Sequence, residues 1–413
     1  MNSLLGHNLF MRVTLPLFFI TAFLGQSALR AQSTLQPSSL PIRQDFSHIH
    51  ISPKSDEIFF SIRNFPGSVG GTADEADIFK MKRDAGGNLT GELFIVDVFN
   101  TEWEDLLFGI SADVKLFYKL GQEGMPGANA GPALVVGSSS SGSSRPANDY
   151  IRIIRVNDKD AATEGRQVID GLVGNPKGME FFVSTNNHVM LVAKPNRING
   201  SKDLYVSHRI DFQHWGPLIK LPEGVNSNAD EQSVFLAGDQ RSLYFASNRA
   251  NQKEYKLYVS RRTSDNWEDW TEPVLLDEVI NDAPVNFELQ LSAIDGYGFM
   301  LKRRSLDDKP FLYKVDVADE FKPRASTYME VKVEGASKIR GNRQYTMRIF
   351  HEGSGALEGM AFVFRDQERY AFILPSNDSY VLKLFGARDE LIREERISFG
   401  DDRRSTVVIS AAE

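Results

Sequence analysis

The sequence predicts an all-β protein, a β-propeller of five or six blades followed by a small β-sandwich, and three observations predict it. Apolar runs recur five times along the chain, four of them beside a polar turn. Two of the repeating units align at an offset of 53 residues. The composition, with 28 Phe, 32 Gly and 11% aromatic residues, suits strands and turns better than helices.

Residues 1–31 stand apart from the rest. Arg12 precedes the apolar run Val13–Leu24, and small residues surround a cleavage point after Ala31. This is the pattern of a secretory signal peptide. The alternative, an N-terminal membrane anchor, is disfavoured because the run is shorter than the ~20 residues that span a bilayer. The chain is therefore expected to be exported, to be periplasmic, outer-membrane-associated or secreted, and to carry no transmembrane segment once processed. Removing residues 1–31 takes away Arg12 and Arg30 and no acid, which changes the net charge from −8 to −10. Such a surface argues against nucleic acid as a partner. The chain has no cysteine, which excludes disulfides, thiolate zinc sites, cysteine nucleophiles and a lipid-modified N-terminal cysteine.

Residues 32–44 read as a linker and 45–325 as the propeller. The apolar runs are Ile58–Asn64, Val114–Tyr118, Val189–Val192, Leu243–Arg249 and Tyr297–Leu301. Turns beside them are supplied by Pro53-Lys54-Ser55-Asp56, Asn186-Asn187, Gly238-Asp239-Gln240 and Asp295-Gly296, residue types that tolerate tight backbone. The aligned units run from Asp203 to Leu218 and from Lys256 to Val274. Strands such as Leu243–Ala246 are apolar at successive positions, as expected where a sheet is covered on both faces. Units of this length with several short strands suit propeller blades. A sixth blade has room between Leu116 and Met190 or is completed by the segment before His48, where an N-terminal strand would close an exposed edge. Gly121–Asn148, with the run Gly137–Ser144, reads as a flexible loop.

Residues 326–413 change character. Tyr345–Ile349, Gly359–Val363, Arg369–Pro375 and Ser379–Leu384 read as closely spaced strands of a sandwich, with a terminal blade plus extra strands as the alternative.

These residues carry a resemblance. Asp230-Glu231, Gly238-Asp239, Leu243–Arg249, Leu257–Ser260 and Trp270–Pro273 resemble the WD-like propeller repeats of TolB-type and OmpA-associated envelope proteins of bacteria. Tyr370–Leu374, Pro375 and Tyr380–Leu382 resemble the closing strands of carboxypeptidase-regulatory-like β-sandwiches. Propeller followed by sandwich is similar to the middle of gliding and type IX secretion-associated proteins. Those proteins add helical repeats before it and a peptidoglycan-binding domain after it. Neither is seen in this sequence, so direct wall anchoring is not expected.

No catalytic, cofactor-binding or metal-ligating set is assigned. His48 and His50, two apart on a predicted strand, share a face in a regular strand but lack a third metal ligand. Asp74, Glu75 and Asp77 lack the spacing of a calcium loop. Ser264-Asp265-Asn266-Trp267 lacks the glycine and spacing of the sialidase Asp-box, and no nucleophile elbow, His-Glu-x-x-His helix or phosphate loop occurs. Asn196-Arg197 and Asn248-Arg249 end equivalent strands. Their arginines either form an anion-binding ring or pin blade turns through loop carbonyls, and pinning is the expectation. Trp215 and Trp270 are expected to pack between blades, while Trp267 is a candidate sugar platform. The resemblance implies a non-catalytic scaffold of the bacterial envelope that binds a protein or glycan without a cofactor. The alternative is a carbohydrate-active enzyme using carboxylates at the propeller centre.

Overall fold

The computed structural model describes residues 32–38, 44–54, 56–69, 71, 75–122, 149–157, 161–172, 178–196, 200–339 and 345–411. Residues 1–31, read from the sequence as a signal peptide, and Ser55, Asp74, Arg197 and residues 123–148 of the Gly- and Ser-rich loop lie outside them. Gln32–Glu413 form one compact unit, and its regular elements are strands with three single turns of 3-10 helix among the described residues. The all-β expectation holds.

Strand β1 (Thr34–Pro37) precedes five antiparallel sheets. The first comprises β2 (Asp45–Ile51), β3 (Glu57–Arg63), β4 (Asp77–Arg83) and β5 (Leu89–Ile95). The second comprises β6 (Leu107–Ile110), β7 (Leu116–Gln122), β8 (Asp149–Val156) and β9 (Ala161–Arg166). A short β10 (Val168–Ile169) then pairs in parallel with β14 (His214–Trp215). The third sheet is β11 (Glu180–Val183), β12 (Val189–Pro195), β13 (Lys202–His208) and β15 (Ile219–Lys220). The fourth is β16 (Glu231–Leu236), β17 (Ser242–Ser247), β18 (Lys256–Arg261) and β19 (Val274–Leu275). The fifth is β20 (Val285–Leu291), β21 (Gly298–Arg303) and β22 (Phe311–Asp316), with β1 as its fourth strand.

Two features depart from the sequence reading. Thr34–Pro37, inside the segment read as a linker, is a strand that pairs antiparallel with β22 from Thr34↔Asp316 to Pro37↔Tyr313. The interval between Leu116 and Met190, read as room for a sixth blade, holds the rest of the second sheet together with β10 and β11.

The first strands touch one another in chain order, β2 to β6, β6 to β11, β11 to β16 and β16 to β20, and β20 touches β2. Second strands lie inside this packing: every residue of β17 is buried, as are Val189–Ala193 of β12. Both faces are covered, which is why their sequences are apolar without alternation. The fourth strands β15 and β19 are two residues long and exposed, so they contribute little to the periodicity.

A repeated side-chain device ties three sheets. Asn226 accepts from Leu204 N–H at 2.7 Å and donates to the carbonyls of Leu204 and Leu221. Asn281 makes the same bonds to Leu257 and Leu276, and Asn100 brackets Ile78 likewise. Each amide satisfies peptide groups of a third strand that water does not reach. Asn281→Leu removes the side-chain partner of Leu257 N–H and of the Leu276 carbonyl, while the Leu257 carbonyl keeps only its bond from Leu276 N–H. It is expected to lower stability by about 2–4 kcal/mol in urea unfolding; a loss below about 0.5 kcal/mol would show that the clamp is dispensable.

Seven further strands follow: β23 (Ser326–Glu334), β24 (Tyr345–His351), β25 (Leu357–Val363), β26 (Arg369–Pro375), β27 (Ser379–Phe385), β28 (Leu391–Ser398) and β29 (Arg404–Ser410). They form sheets β26-β23-β29 and β25-β24-β27-β28, around one apolar core that includes Met329, Val331, Ile349, Phe372 and Leu382. These sheets sit against the turns that join first to second strands. Asn186 donates to Glu358 O at 2.9 Å and Ile373 O at 2.6 Å, Gln367 donates to Asp113 at 2.7 Å, and Ala112 and Ala293 pack with Tyr328 and Ile373. Added Cβ atoms show how close the approach is: at Gly238 one would lie 2.7 Å from the Ile373 side chain.

Candidate functional site

At the other end of the first strands lies a cavity of about 400 Å³ to which all five sheets or the segments leading into them contribute. Three of its polar residues are placed by a shared backbone irregularity. In β2, β16 and β20 the pairing register shifts, between Ser47 and His50, Gln232 and Phe235, and Phe287 and Gln290. At these bulges His48, Ser233 and Glu288 adopt left-handed φ values of 52°, 52° and 50°, a conformation costly for residues with a Cβ. Bulges re-aim side chains, and all three of these residues line the cavity.

Glu288 accepts from Ile49 N–H at 3.2 Å. Although partly accessible from the cavity it lines, it is held largely out of water; burial, reinforced by the charge of Glu180, pushes its carboxyl up to about 8. Glu288 is thus neutral at pH 7. Glu180 on β11 stays paired, accepting from Lys202 Nζ at 2.5 Å and Ser233 N–H at 2.7 Å. Glu104 pairs with Arg63 at 2.6 Å, and Arg303 contacts Asp45 at 3.3 Å across the edge of Phe287, whose ring lies 4.8 Å beneath its guanidinium. Phe108, Phe182, Phe235 and Phe287 supply apolar surface between these groups.

His48 and His50 both line the cavity, but the bulge breaks the alternation that placed them on one face. His48 stands edge-on to Phe108, with its Nδ1 buried and without a partner, whereas His50 stacks on Phe182 and its Nε2 lies 2.9 Å from Leu107 O. Burial pushes them down to about 3 and about 4, so both are neutral. Among the described residues no group of three or more His, Asp or Glu is placed to hold a metal ion.

The other residues singled out from sequence lie elsewhere. Glu75 is exposed, and Asp77 is buried and accepts from Val69 N–H at 2.6 Å. Arg249 donates to Gly224 O at 3.1 Å and to Val225 O, the pinning arrangement expected for it. Trp215 is fully buried and donates to Gln167 at 2.9 Å. Trp267 and Trp270 are half-buried; the Trp270 indole donates to Trp267 O, and Arg262 covers the Trp267 ring at 4.6 Å. That platform is already occupied. Sequence reasoning missed Glu104, Glu180, Glu288, Arg63, Lys202 and Arg303. Counting four residues back from the serine that opens a turn, Ser52, Ser184 or Ser292, reaches His48, Glu180 and Glu288, so the signal was present in the repeats.

No family model matches the chain, and no curated protein matches it. Among solved structures it is similar to a glycoside hydrolase, with 9% identity, a TM-score of 0.39, and coverage of 72% of this protein and 93% of that one. It is similar to TolB from Acinetobacter baumannii, with 10% identity, a TM-score of 0.37, and coverage of 86% and 67%. A protein of unknown function from Dyadobacter fermentans DSM 18053 shares 11% identity at a TM-score of 0.39, with coverage of 84% and 98%. These likenesses are too distant to carry a function, so the functional reading rests on the geometry of the cavity.

Proposed function

We propose that the five sheets are the blades of a five-bladed β-propeller closed by β1, that the C-terminal sheets are a β-sandwich capping one end, and that the open end binds a glycan in the bacterial envelope. The observation that carries the ligand reading is the cavity itself. Its volume of about 400 Å³ falls within the roughly 300–1,000 Å³ of small-molecule sites. Neutral Glu288, neutral imidazoles and paired ions alternate with phenylalanine rings, which matches the hydroxyl edges and apolar faces of a sugar. The leader-like residues 1–31 support an exported location.

Glu288→Ala is expected to weaken binding of a responsive saccharide by about 10- to 100-fold, the range of losing one strong buried hydrogen bond. Titration calorimetry with a panel of neutral and acidic oligosaccharides tests this. Unchanged affinity in the variant, or no binding across the panel, overturns the assignment of the cavity.

One observation favours a second, enzymatic reading. Glu288, its carboxyl pushed up to about 8, stands near Glu180, which accepts from Lys202 Nζ, and two carboxyl groups in such different settings are what acid-assisted glycoside cleavage uses. Reducing-end release from a bound saccharide, abolished in Glu288→Gln with binding retained, would establish the enzyme. Binding without turnover leaves the scaffold.

A further inference from the structure

A second cavity, of about 520 Å³, lies where the fourth sheet meets the C-terminal sheets. No sequence motif marks it, since its residues come from the β16–β17 turn, the loop after β18, the segment before β23 and the strands β24 to β27. Two of its buried polar atoms have no partner. One is Oε2 of Glu358, a side chain only 3% exposed, and the other is Nε of Arg262, 9% exposed. Leaving such atoms unmet in a fold is costly, and here both belong to residues that line the same space. Arg241 is bonded to Asp265 and lies 3.4 Å from Glu358 Oε1. Arg324, more than half exposed at 56%, stands 3.6 Å from Asp378.

We propose that this cavity binds an oxyanion, a carboxylate, sulfate or phosphate group, between the Arg241, Arg262 and Arg324 guanidiniums, with Glu358 donating a hydrogen bond from Oε2. Guanidiniums match the geometry of such groups, and a desolvated donor set strengthens the contact. The charge balance supports it: four arginines and three aspartates line the space besides Glu358, so a neutral Glu358 leaves it net positive. Burial pushes Glu358 up to about 7, against the attraction of Arg241 and Arg262. The groups facing it are Arg241, Arg262 and Asp265 from the fourth sheet and His351, Asp378 and Tyr380 from the C-terminal sheets. His351 is held between Asp378, at 2.9 Å from Nε2, and Ser354, at 2.9 Å from Nδ1. An anion beside Glu358 raises its proton affinity further, so binding and protonation reinforce each other.

Inorganic sulfate is the probe, because its charge does not change between pH 6 and 8.5, and galacturonate is the organic arm. With the full chain, sulfate is expected to bind about tenfold or more tightly at pH 6 than at pH 8.5. Arg262→Gln is expected to weaken binding at least about tenfold at pH 6. Glu358→Gln keeps the donor without the proton, so its affinity is expected to stay near the wild-type pH 6 value at both pH values, a result that misfolding cannot produce. If galacturonate binds at least as tightly as sulfate under the same pH law, the source is an acidic glycan; if only sulfate binds, it is a free inorganic anion. The proposal fails if neither probe binds at pH 6, if Arg262→Gln is neutral, or if Glu358→Gln retains the pH dependence, which would assign the proton to His351.

Discussion

Replacing Asp105 by Leu, or Lys119 by Met, is expected to cost about 3–5 kcal/mol of stability, while the double change Asp105→Leu with Lys119→Met recovers much of it. Lys119 and Asp105 form an ion pair with side chains 1% and 0% exposed. Burial drives the Asp105 carboxyl up and the Lys119 amine down from their ordinary values, and their mutual attraction opposes both shifts. Removing one partner strands a charge where water cannot reach it; removing both removes the problem along with the attraction. The pair is also fixed by its neighbours. Lys119 Nζ donates to Phe99 O at 2.5 Å, and Asp105 accepts from Thr101 N–H at 2.6 Å and from the Thr101 hydroxyl at 2.9 Å. Asp105 N–H donates to Ala76 O at 2.7 Å, so the pair ties β7 to the β5–β6 connection and, through Ala76, to the segment that enters β4. Glu104, which pairs with Arg63 in the central cavity, is the adjacent residue. A double-mutant cycle in urea unfolding measures the coupling. Single variants within about 1 kcal/mol of wild type would mean that water enters this seam.

The same seam shows where sequence reading reaches its limit. Leu116–Tyr118 is legible as strand because three large apolar residues in succession require cover on both faces, and Leu243–Ala246 is legible for the same reason. Lys119 is not legible as core, since nothing local shows that Asp105 will meet it. An N-terminal strand before His48 is expected from the sequence, but its place at Thr34–Pro37 is not legible, because four residues containing Thr, Gln and Pro carry no periodicity and its partner β22 lies far along the chain. At the candidate site, His48 stood out by residue type, yet the bulge that aims it is a tertiary event that regular alternation cannot forecast. Glu180 and Glu288 were lost among 55 acidic residues and become distinct only when the turns that follow them are aligned. Glu358 and Arg262 are separated by nearly a hundred positions and meet because two groups of sheets dock.

Acid is expected to unfold the protein steeply below about pH 5, through imidazoles that fold neutral. His50 and His188 are 6% and 5% exposed, and burial pushes them down to about 4 and about 3. The sign follows from linkage. An unfolded imidazole accepts a proton near pH 6.5, whereas the folded one refuses it until the pH falls through 4 or 3. The stabilisation is therefore full above pH 6.5 and is lost on acidification, by about 1.4 kcal/mol per pH unit for each residue. Two such residues remove roughly 5 kcal/mol between pH 6.5 and 4.5, comparable to the whole stability of many domains. His48 is pushed down as well, but its access to the cavity makes it the weaker contributor. Glu288 and Glu358 act in the opposite sense. Their folded carboxyls hold protons up to about 8 and about 7, so they add stability as pH falls from those values toward the unfolded 4.5 and add nothing more below it. The two trends offset each other between about pH 6.5 and 4.5, and only the imidazoles remain active below about pH 4.5. Unfolding free energies at pH 3.5, 4.5, 5.5, 6.5 and 7.5 should trace this curve, and the His50→Gln, His188→Gln variant should gain stability from pH 6.5 to 4.5, where the wild type stays nearly level, and lose most of the slope below pH 4.5. A double variant with the wild-type slope would place the acid sensitivity in the carboxylate ion pairs instead.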